Sequence, residues 1–245
     1  MLLRTENISV TIGGLHILRN VNMEIANGRI TSIIGPNGAG KTTLFNVITG
    51  RMYPTAGKVW FKEKEITGWP PYKIAQSGIA RSFQITNILK DMTVFENICL
   101  AAQTRFHFRT SIFSQISKDK ATPYEAEKIL ELIGLAPLRD KLARVLSHGD
   151  QRRLEIGMSL ALGPDFLMLD EPTSGMSPVE TISTIDLVRS LGKKVTICII
   201  EHKMSLVMTL SDKIMVLHLG EKIAEGSPQE IASNDEVQRV YLGME

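Results

Sequence analysis

The sequence predicts an α/β fold with an antiparallel β layer at its start and a helical insertion in its middle. Three observations carry this. Strand-like and helix-like stretches alternate over residues 1–84 and again over residues 163–245, the pattern of a sheet with helices on its faces. Residues 166–169 and 195–200 are so apolar that both faces of each strand must be buried, as in a parallel sheet. Residues 85–162, between the two alternating regions, read as helical. The chain has 245 residues and is 43% hydrophobic, enough for one sizeable core, so core and insertion are expected to form a single domain.

Taken in order, residues 2–10 alternate apolar and polar, and Gly13-Gly14 is a turn. Residues 15–25 predict a second strand with Ile17, Val21, Met23 and Ile25 largely on one face. Asn27-Gly28 is a hairpin-turn dipeptide leading into a β-branched strand over residues 29–34. A glycine-rich stretch follows, then a helix over residues 43–49 with Gly50 just past its end. Residues 58–62 predict a short strand. Pro70-Pro71 opens a helix that ends near Ser77-Gly78, and residues 79–83 form a strand that stops at Gln84.

In the helical block, Thr93 followed three residues later by Glu96 is a capping box for a helix over residues 93–103. Residues 104–120 read as irregular. Pro123 opens a helix to Ile133 whose apolar stripe is Ala126, Ile129, Leu130 and Ile133. A further helix spans residues 150–162. The last third reads as a helix from Pro178 to Leu191, the strand at residues 195–200, a helix over 203–210, strands at 213–217 and 222–225, a short helix from Ser227-Pro228, and a helix over 235–242.

Composition excludes several classes. Lys and Arg number 28 against 26 Asp and Glu, a net charge of +2 that does not suggest a nucleic-acid partner. Two cysteines, Cys99 and Cys198, sit in apolar contexts and outside any C-x-x-C, so they read as buried small hydrophobes in a reducing compartment. Residues 1–10 lack a signal-peptide pattern, and no run approaches the ~20 apolar residues of a membrane span. The segment Arg105-Phe106-His107-Phe108-Arg109 reads as a solvated edge with its two Phe packed inward, in preference to a contact with a permease or anionic lipid.

The stretch Gly35-Pro36-Asn37-Gly38-Ala39-Gly40-Lys41-Thr42 reads G-x-x-x-x-G-K-T, between a strand and a helix. Glycines let backbone N–H groups close on an anion, and the helix beginning near Thr43 adds its positive dipole end. Lys41 supplies a charge for the β- and γ-phosphates of a nucleotide, and the Thr42 hydroxyl is placed to bind Mg²⁺. The strand at 166–169 ends in Asp170-Glu171, at the sheet edge where α/β folds bind ligands. Asp170 suits Mg²⁺, and Glu171 is placed to polarise a water for attack on the γ-phosphate. The strand at 195–200 ends in Glu201-His202; His202 there is either an ordinary edge residue or a group that holds the attacking water and the transition-state charge.

At Leu146-Ser147-His148-Gly149-Asp150-Gln151-Arg152-Arg153 a family marker appears. Together with residues 35–42 and Leu169-Asp170-Glu171-Pro172-Thr173-Ser174, essentially the whole chain resembles the ATPase subunits of ABC transporters, whose fold is a RecA-like P-loop NTPase core. The resemblance implies a core over about residues 1–84 and 163–245, and a helical subdomain over about residues 85–162. It makes Gln84 the glutamine that senses Mg²⁺ and attacking water and couples to the membrane partner. It makes Glu171 the catalytic glutamate and His202 the switch histidine. Leu146, Ser147, His148, Gly149 and Asp150 become the signature loop that caps ATP held by a second subunit, with Ser147 and Gly149 meeting the γ-phosphate at the start of the helix from Asp150. Residues 174–177 match the loop that crosses to the partner. His148, Asp150 and Ser177 depart from the usual residues, and Ile12 stands where an aromatic commonly stacks on adenine, which implies apolar contact there instead.

Ile79-Ala80-Arg81-Ser82-Phe83-Gln84, Leu154-Glu155-Ile156-Gly157 and Val240-Tyr241-Leu242-Gly243 resemble the branch serving branched-chain amino-acid importers, with relatives for urea and short amides. That implies an ATP- and Mg²⁺-dependent subunit, peripheral on the cytoplasmic face of the inner membrane and soluble when isolated. Its implied partners are a second ATPase of the same or a different chain, two permeases and an extracytoplasmic solute-binding protein. One chain holds one phosphate loop and one signature, which cannot close on the same nucleotide, so a head-to-tail pair is required. The alternatives are an exporter ATPase of the lipopolysaccharide-transport type and a soluble non-transport ABC ATPase. The latter usually carries two such domains or long coiled-coil arms, and neither is seen here.

Overall fold

A computed structural model of the chain describes residues 1–82, 88–107 and 121–242. The first sheet is antiparallel and is built from β1 (Leu3–Ile12), β2 (Leu15–Ile25), β4 (Ala56–Phe61) and β5 (Lys64–Glu65), with β1 between β2 and β4. The second contains β3 (Ile30–Ile34), β6 (Ile79–Arg81), β7 (Phe166–Asp170), β8 (Thr196–Ile200), β9 (Lys213–His218) and β10 (Glu221–Gly226), in the order β10-β9-β3-β8-β7-β6. Every pairing from β9 to β6 is parallel, and β10 closes one edge antiparallel. All five residues of each of β3, β7 and β8 are buried, which is why they read as continuous apolar runs.

Period-two alternation still divides the buried strands between two cores. Leu167, Leu169, Ile197 and Ile199 face one side. There they pack on α3 (Val94–His107), α4 (Ala121–Leu132), α5 (His148–Ala161) and α6 (Pro178–Gly192). Phe166, Met168, Cys198 and Ile200 face the other side, against α1 (Lys41–Ile48) and the antiparallel sheet. The helices of the insertion therefore share one apolar cluster with the central sheet. A third cluster lies under α7 (Met204–Leu210), α8 (Pro228–Ala232) and α9 (Asp235–Leu242). Cys198 is fully buried and its thiol is pushed up by that burial, and Cys99 packs half-buried beside α3's core residues.

The capping box read from sequence at Thr93 forms as expected. Thr93 N–H donates to Glu96 at 2.7 Å and Glu96 N–H returns to Thr93 Oγ1 at 3.1 Å. Ser227 and Glu230 do the same for α8. The helix α2 (Pro71–Ser77) ends on Gly78 in the left-handed conformation.

Several details differ from the sequence reading. Leu18 rather than Ile17 joins Val21, Met23 and Ile25 as a buried residue of β2, because the register between β1 and β2 slips there and Asn20 takes a φ of 47°. Such a bulge turns the following residue to the opposite face. The helix α3 continues to His107, beyond the expected end at residue 103. The helix α5 begins at His148, two residues before Asp150, because Ser147 supplies its cap. Gln84 lies outside the described residues, as does the end of the Arg105–Arg109 segment.

Candidate functional site

The phosphate loop lies where β3 leaves the parallel sheet. Gly35 turns it with a φ of 155°, and a Cβ there would stand 2.1 Å from the Leu217 carbonyl oxygen of β9. Only glycine lets the chain pass that close to a neighbouring strand. Gly35, Ala39 and Gly40 are buried, Pro36 and Thr43 are half-buried, and Asn37, Gly38 and Thr42 are exposed. No side chain caps α1, so its first N–H groups remain free to meet an anion. Lys41, only 6% exposed, folds back so that Nζ donates to the carbonyls of Gly35 (2.7 Å) and Pro36 (2.9 Å). Burial lowers its pKa, opposed by the nearby carboxylates of Glu171 and Asp170. Ile12 is 53% exposed at the end of β1. The β1–β2 hairpin meets the loop through Leu18, whose Cδ2 lies 2.6 Å from where a Gly40 Cβ would stand.

Two adjacent strand ends bring carboxylates and an imidazole alongside. Asp170 closes β7 with no exposed surface. Its Oδ2 accepts from Arg81 Nη2 at 2.7 Å, and its Oδ1 is buried without a partner among the described residues. Glu171 follows with a φ of 46°, fixed by its N–H to the Ile200 carbonyl of β8 at 2.9 Å. Its Oε1 lies 2.8 Å from Nε2 of His202. Glu201, 3% exposed, accepts from Thr173 N–H (3.2 Å) and Oγ1 (2.8 Å) with one oxygen and from His202 N–H (3.2 Å) with the other. That locks the two strand ends together.

Oxygen donors suit a hard divalent cation, and the orphaned Asp170 Oδ1 and the exposed Thr42 hydroxyl are of that kind. No cluster of three or more His, Cys, Asp or Glu that could hold a metal occurs among the described residues. A cation held by few protein oxygens and completed by phosphates fits this set.

The loop of residues 146–150 lies elsewhere. Ser147 Oγ accepts from Asp150 N–H at 3.1 Å and donates to Glu180 Oε1 at 3.1 Å, and Gly149 N–H donates to the same Oε1 at 3.2 Å. Glu180 also forms a capping box with Ser177 at the start of α6. Hydrogen bonds from Ser177 first, then Ser147, pull its pKa down to about 2. Leu146 is 8% exposed, Asp150 pairs with Arg153, and the His148 ring packs against Gly175. None of the hydrogen bonds of the described residues joins residues 146–150 to residues 35–43.

Four residues at the site escaped the sequence reading. Arg81 holds Asp170; buried Arg152 donates to the carbonyls of Asp170 and Glu171 and to Glu155; Glu180 occupies the 146–150 loop; Glu201 ties the strand ends. Glu180 was findable, since Ser177-Pro178-Val179-Glu180 is a capping-box pattern. A lone charge inside an apolar strand pattern was the signal for Arg81.

A phosphate loop leaving the middle of a parallel sheet, with Asp-Glu and His at the ends of adjacent strands, defines a P-loop ATPase core. The chain belongs to the ABC transporter family: the family model of that description matches residues 18–174. A second, described as a branched-chain amino acid ATP-binding cassette transporter, matches residues 221–243. The LivG high-affinity branched-chain amino acid transport ATP-binding protein of Salmonella typhimurium is 40% identical, over 99% of this chain and 98% of its own. BraF of Pseudomonas aeruginosa, described in the same terms, is 38% identical over the same shares. Among solved structures, the ATP-binding cassette MJ1267 superposes with a TM-score of 0.87 at 35% identity, covering 98% of both chains. Its ADP conformation gives 0.86 at 34%, covering 99% of both. The chain is thus an ATP-binding ATPase subunit of that family. No helix among the described residues is long and apolar enough to cross a membrane.

Proposed function

We propose that this chain hydrolyses Mg²⁺-bound ATP to drive uptake of branched-chain amino acids, working as one half of a head-to-tail ATPase pair. The observation that carries the reading is a site in two separated halves. One half gathers residues 35–43, Asp170, Glu171 and His202; the other offers Ser147 Oγ and Gly149 N–H at the start of α5. An anion bound at both halves must bridge two chains. Residues 35–43 cradle the phosphates, Lys41 neutralises them, and Ile12 offers the adenine an apolar surface. Glu171 takes the proton of the attacking water, and His202 holds that carboxylate in place and faces the γ-phosphate. Thr42 and Asp170, with Gln84, would hold Mg²⁺, which when bound offsets the charge on the β- and γ-phosphates.

The closure of the pair is passed to two permeases through the helical segment of residues 85–162, on the core of residues 1–84 and 163–245, at the cytoplasmic face of the membrane. A solute-binding protein delivers the cargo. The names of the relatives and the match at residues 221–243 support import of branched-chain amino acids over export or non-transport roles.

The test uses the chain co-purified with its membrane partners. Leucine, isoleucine or valine with the binding protein should raise ATP turnover, and Glu171→Gln should cut turnover about 10²- to 10⁴-fold while ATP still binds. Stimulation by urea or an amide instead would overturn the substrate, and wild-type turnover in the variant would overturn the base.

A further inference from the structure

Behind the proposed cation site sits a buried ion pair whose geometry is one-sided. Arg81 and Asp170 side chains are 7% and 0% exposed, with Nη2 and Oδ2 2.7 Å apart. An arginine facing a carboxylate usually engages both oxygens with both arms of its fork. Here the second arm is diverted: Nη1 donates to Asn46 Oδ1 at 2.7 Å and lies 3.4 Å from Thr49 Oγ1. Asp170 Oδ1 is therefore left buried and without a donor among the described residues. An unsatisfied carboxylate oxygen in such a place is costly and calls for something to complete it.

We propose that Arg81 is the positioning residue for the divalent cation: it grips Asp170 by Oδ2 so that Oδ1 is the oxygen presented to the metal. The inference rests on the reading that Asp170 serves the cation. Arg81 is itself held in the correct frame for this. Asn46, Thr49 and Phe45, whose ring centroid lies 5.4 Å from the guanidinium carbon, flank or belong to α1, the helix that opens with Lys41 and Thr42. The edge strand β6 pairs in parallel with β7, placing Arg81 opposite Met168, two residues before Asp170. One guanidinium thus references Asp170 to the same helix that carries the Thr42 hydroxyl, and the two oxygen donors keep one separation.

Two effects oppose each other when Arg81 is removed. Its positive charge no longer repels the cation, which favours binding. Asp170 then loses the donor that grips Oδ2, so Oδ1 is no longer held toward the cation, which disfavours binding. Loss of an outer partner that orients a metal ligand typically weakens metal affinity about 10- to 100-fold, so the second effect is expected to win.

The experiment measures Mn²⁺ binding to the full chain with a non-hydrolysable ATP analogue, by the paramagnetic resonance signal of free Mn²⁺. Affinity of the analogue in EDTA is measured alongside, since a merely structural role would move that too. Arg81→Gln should weaken Mn²⁺ binding about 10- to 100-fold and leave metal-free analogue affinity within about twofold. Arg81→Lys keeps the charge without the planar fork and should also weaken Mn²⁺ binding, to a smaller degree. Should Arg81→Gln not fold, as circular dichroism would reveal, the Lys variant decides. Asp170→Asn is the control. Unchanged or tighter Mn²⁺ binding in the Arg81 variants, with Asp170→Asn weakened, overturns the role of Arg81. Unchanged binding in Asp170→Asn shows instead that the assignment of Asp170 to the cation is at fault.

Discussion

Two alanine substitutions within one loop separate close approach from backbone conformation. In Gly35→Ala the new Cβ would stand 2.1 Å from the Leu217 carbonyl oxygen, 3.0 Å from Ala39 Cβ and 3.1 Å from Leu217 C. Comfortable carbon contacts lie at about 3.5–4.0 Å, so something must move by roughly 1 Å or more. Strand β9 cannot yield easily, because it is paired on both sides, by β3 and β10. The loop moves instead. Overpacking costs about 1–3 kcal/mol, and a φ of 155° adds about 1–3 kcal/mol for a residue with a side chain, so the total is about 2–6 kcal/mol. Gly38→Ala is the matched control: its φ is 80°, and its Cβ would have nothing within 4 Å. It carries only the conformational cost, about 1–2 kcal/mol. At about 2–4 °C per kcal/mol for a chain of this size, Gly38→Ala should lower Tm by about 2–8 °C and Gly35→Ala by roughly twice as much or more. Each 1.4 kcal/mol of strain that falls on the bound conformation also weakens nucleotide binding about tenfold. Tm by scanning calorimetry and Kd for a fluorescent ATP analogue read both quantities. Equal damage from the two variants, or wild-type affinity in Gly35→Ala, would refute the reasoning.

Two further outcomes follow from the charges. Glu180, with its pKa pulled from 4.5 down to about 2, stabilises the fold in its ionised form, so the contribution is complete above pH 4.5 and is lost as pH falls toward 2. The melting temperatures of wild type and Glu180→Gln should therefore differ at neutral pH and converge below pH 4.5; a gap that ignores pH would count against the contact. Arg152→Ala removes the cation buried beside Glu155 and the donor to the Asp170 and Glu171 carbonyls, at about 3–5 kcal/mol by urea denaturation. A loss under about 1 kcal/mol would show that the interaction does not hold β7 in place.

What could be read from the sequence depended on whether the signal was local. The strands β3, β7 and β8 were legible because total burial leaves no polar position in the pattern. The phosphate loop was legible because a tight approach to β9 restricts Gly35 to one residue type. Strand order was not legible: β3 sits between β8 and β9, far later in the chain, and no local pattern encodes that pairing. The bulge at Asn20 was missed because a left-handed asparagine in a strand looks like any polar position. Arg81 and Glu201 were missed for a related reason. Arg81 is a single charge in a short strand and Glu201 directly follows an apolar one, and the purpose of each depends on a partner 89 residues away in one case and 28 in the other.

The two halves of the proposed site are separate as binding surfaces and continuous as a polar network. Ser177 and Ser147 both bond Glu180, and Glu180 accepts from Gly149 at the start of α5. One turn along that helix, Arg152 reaches the carbonyls of Asp170 and Glu171, and Glu171 meets His202. In the proposed pair, a phosphate at Ser147 and Gly149 would need the same donors that Glu180 occupies. It would have to displace a carboxylate that hydrogen bonds from Ser177, Ser147 and Gly149 hold in its ionised form. That displacement would free the cap of α6 from α5, and α5 is the helix whose arginine bonds the backbone under the proposed base. The loop of residues 146–150 and the end of β7 are thus tied to one helix, by Glu180 at its start and by Arg152 one turn further on.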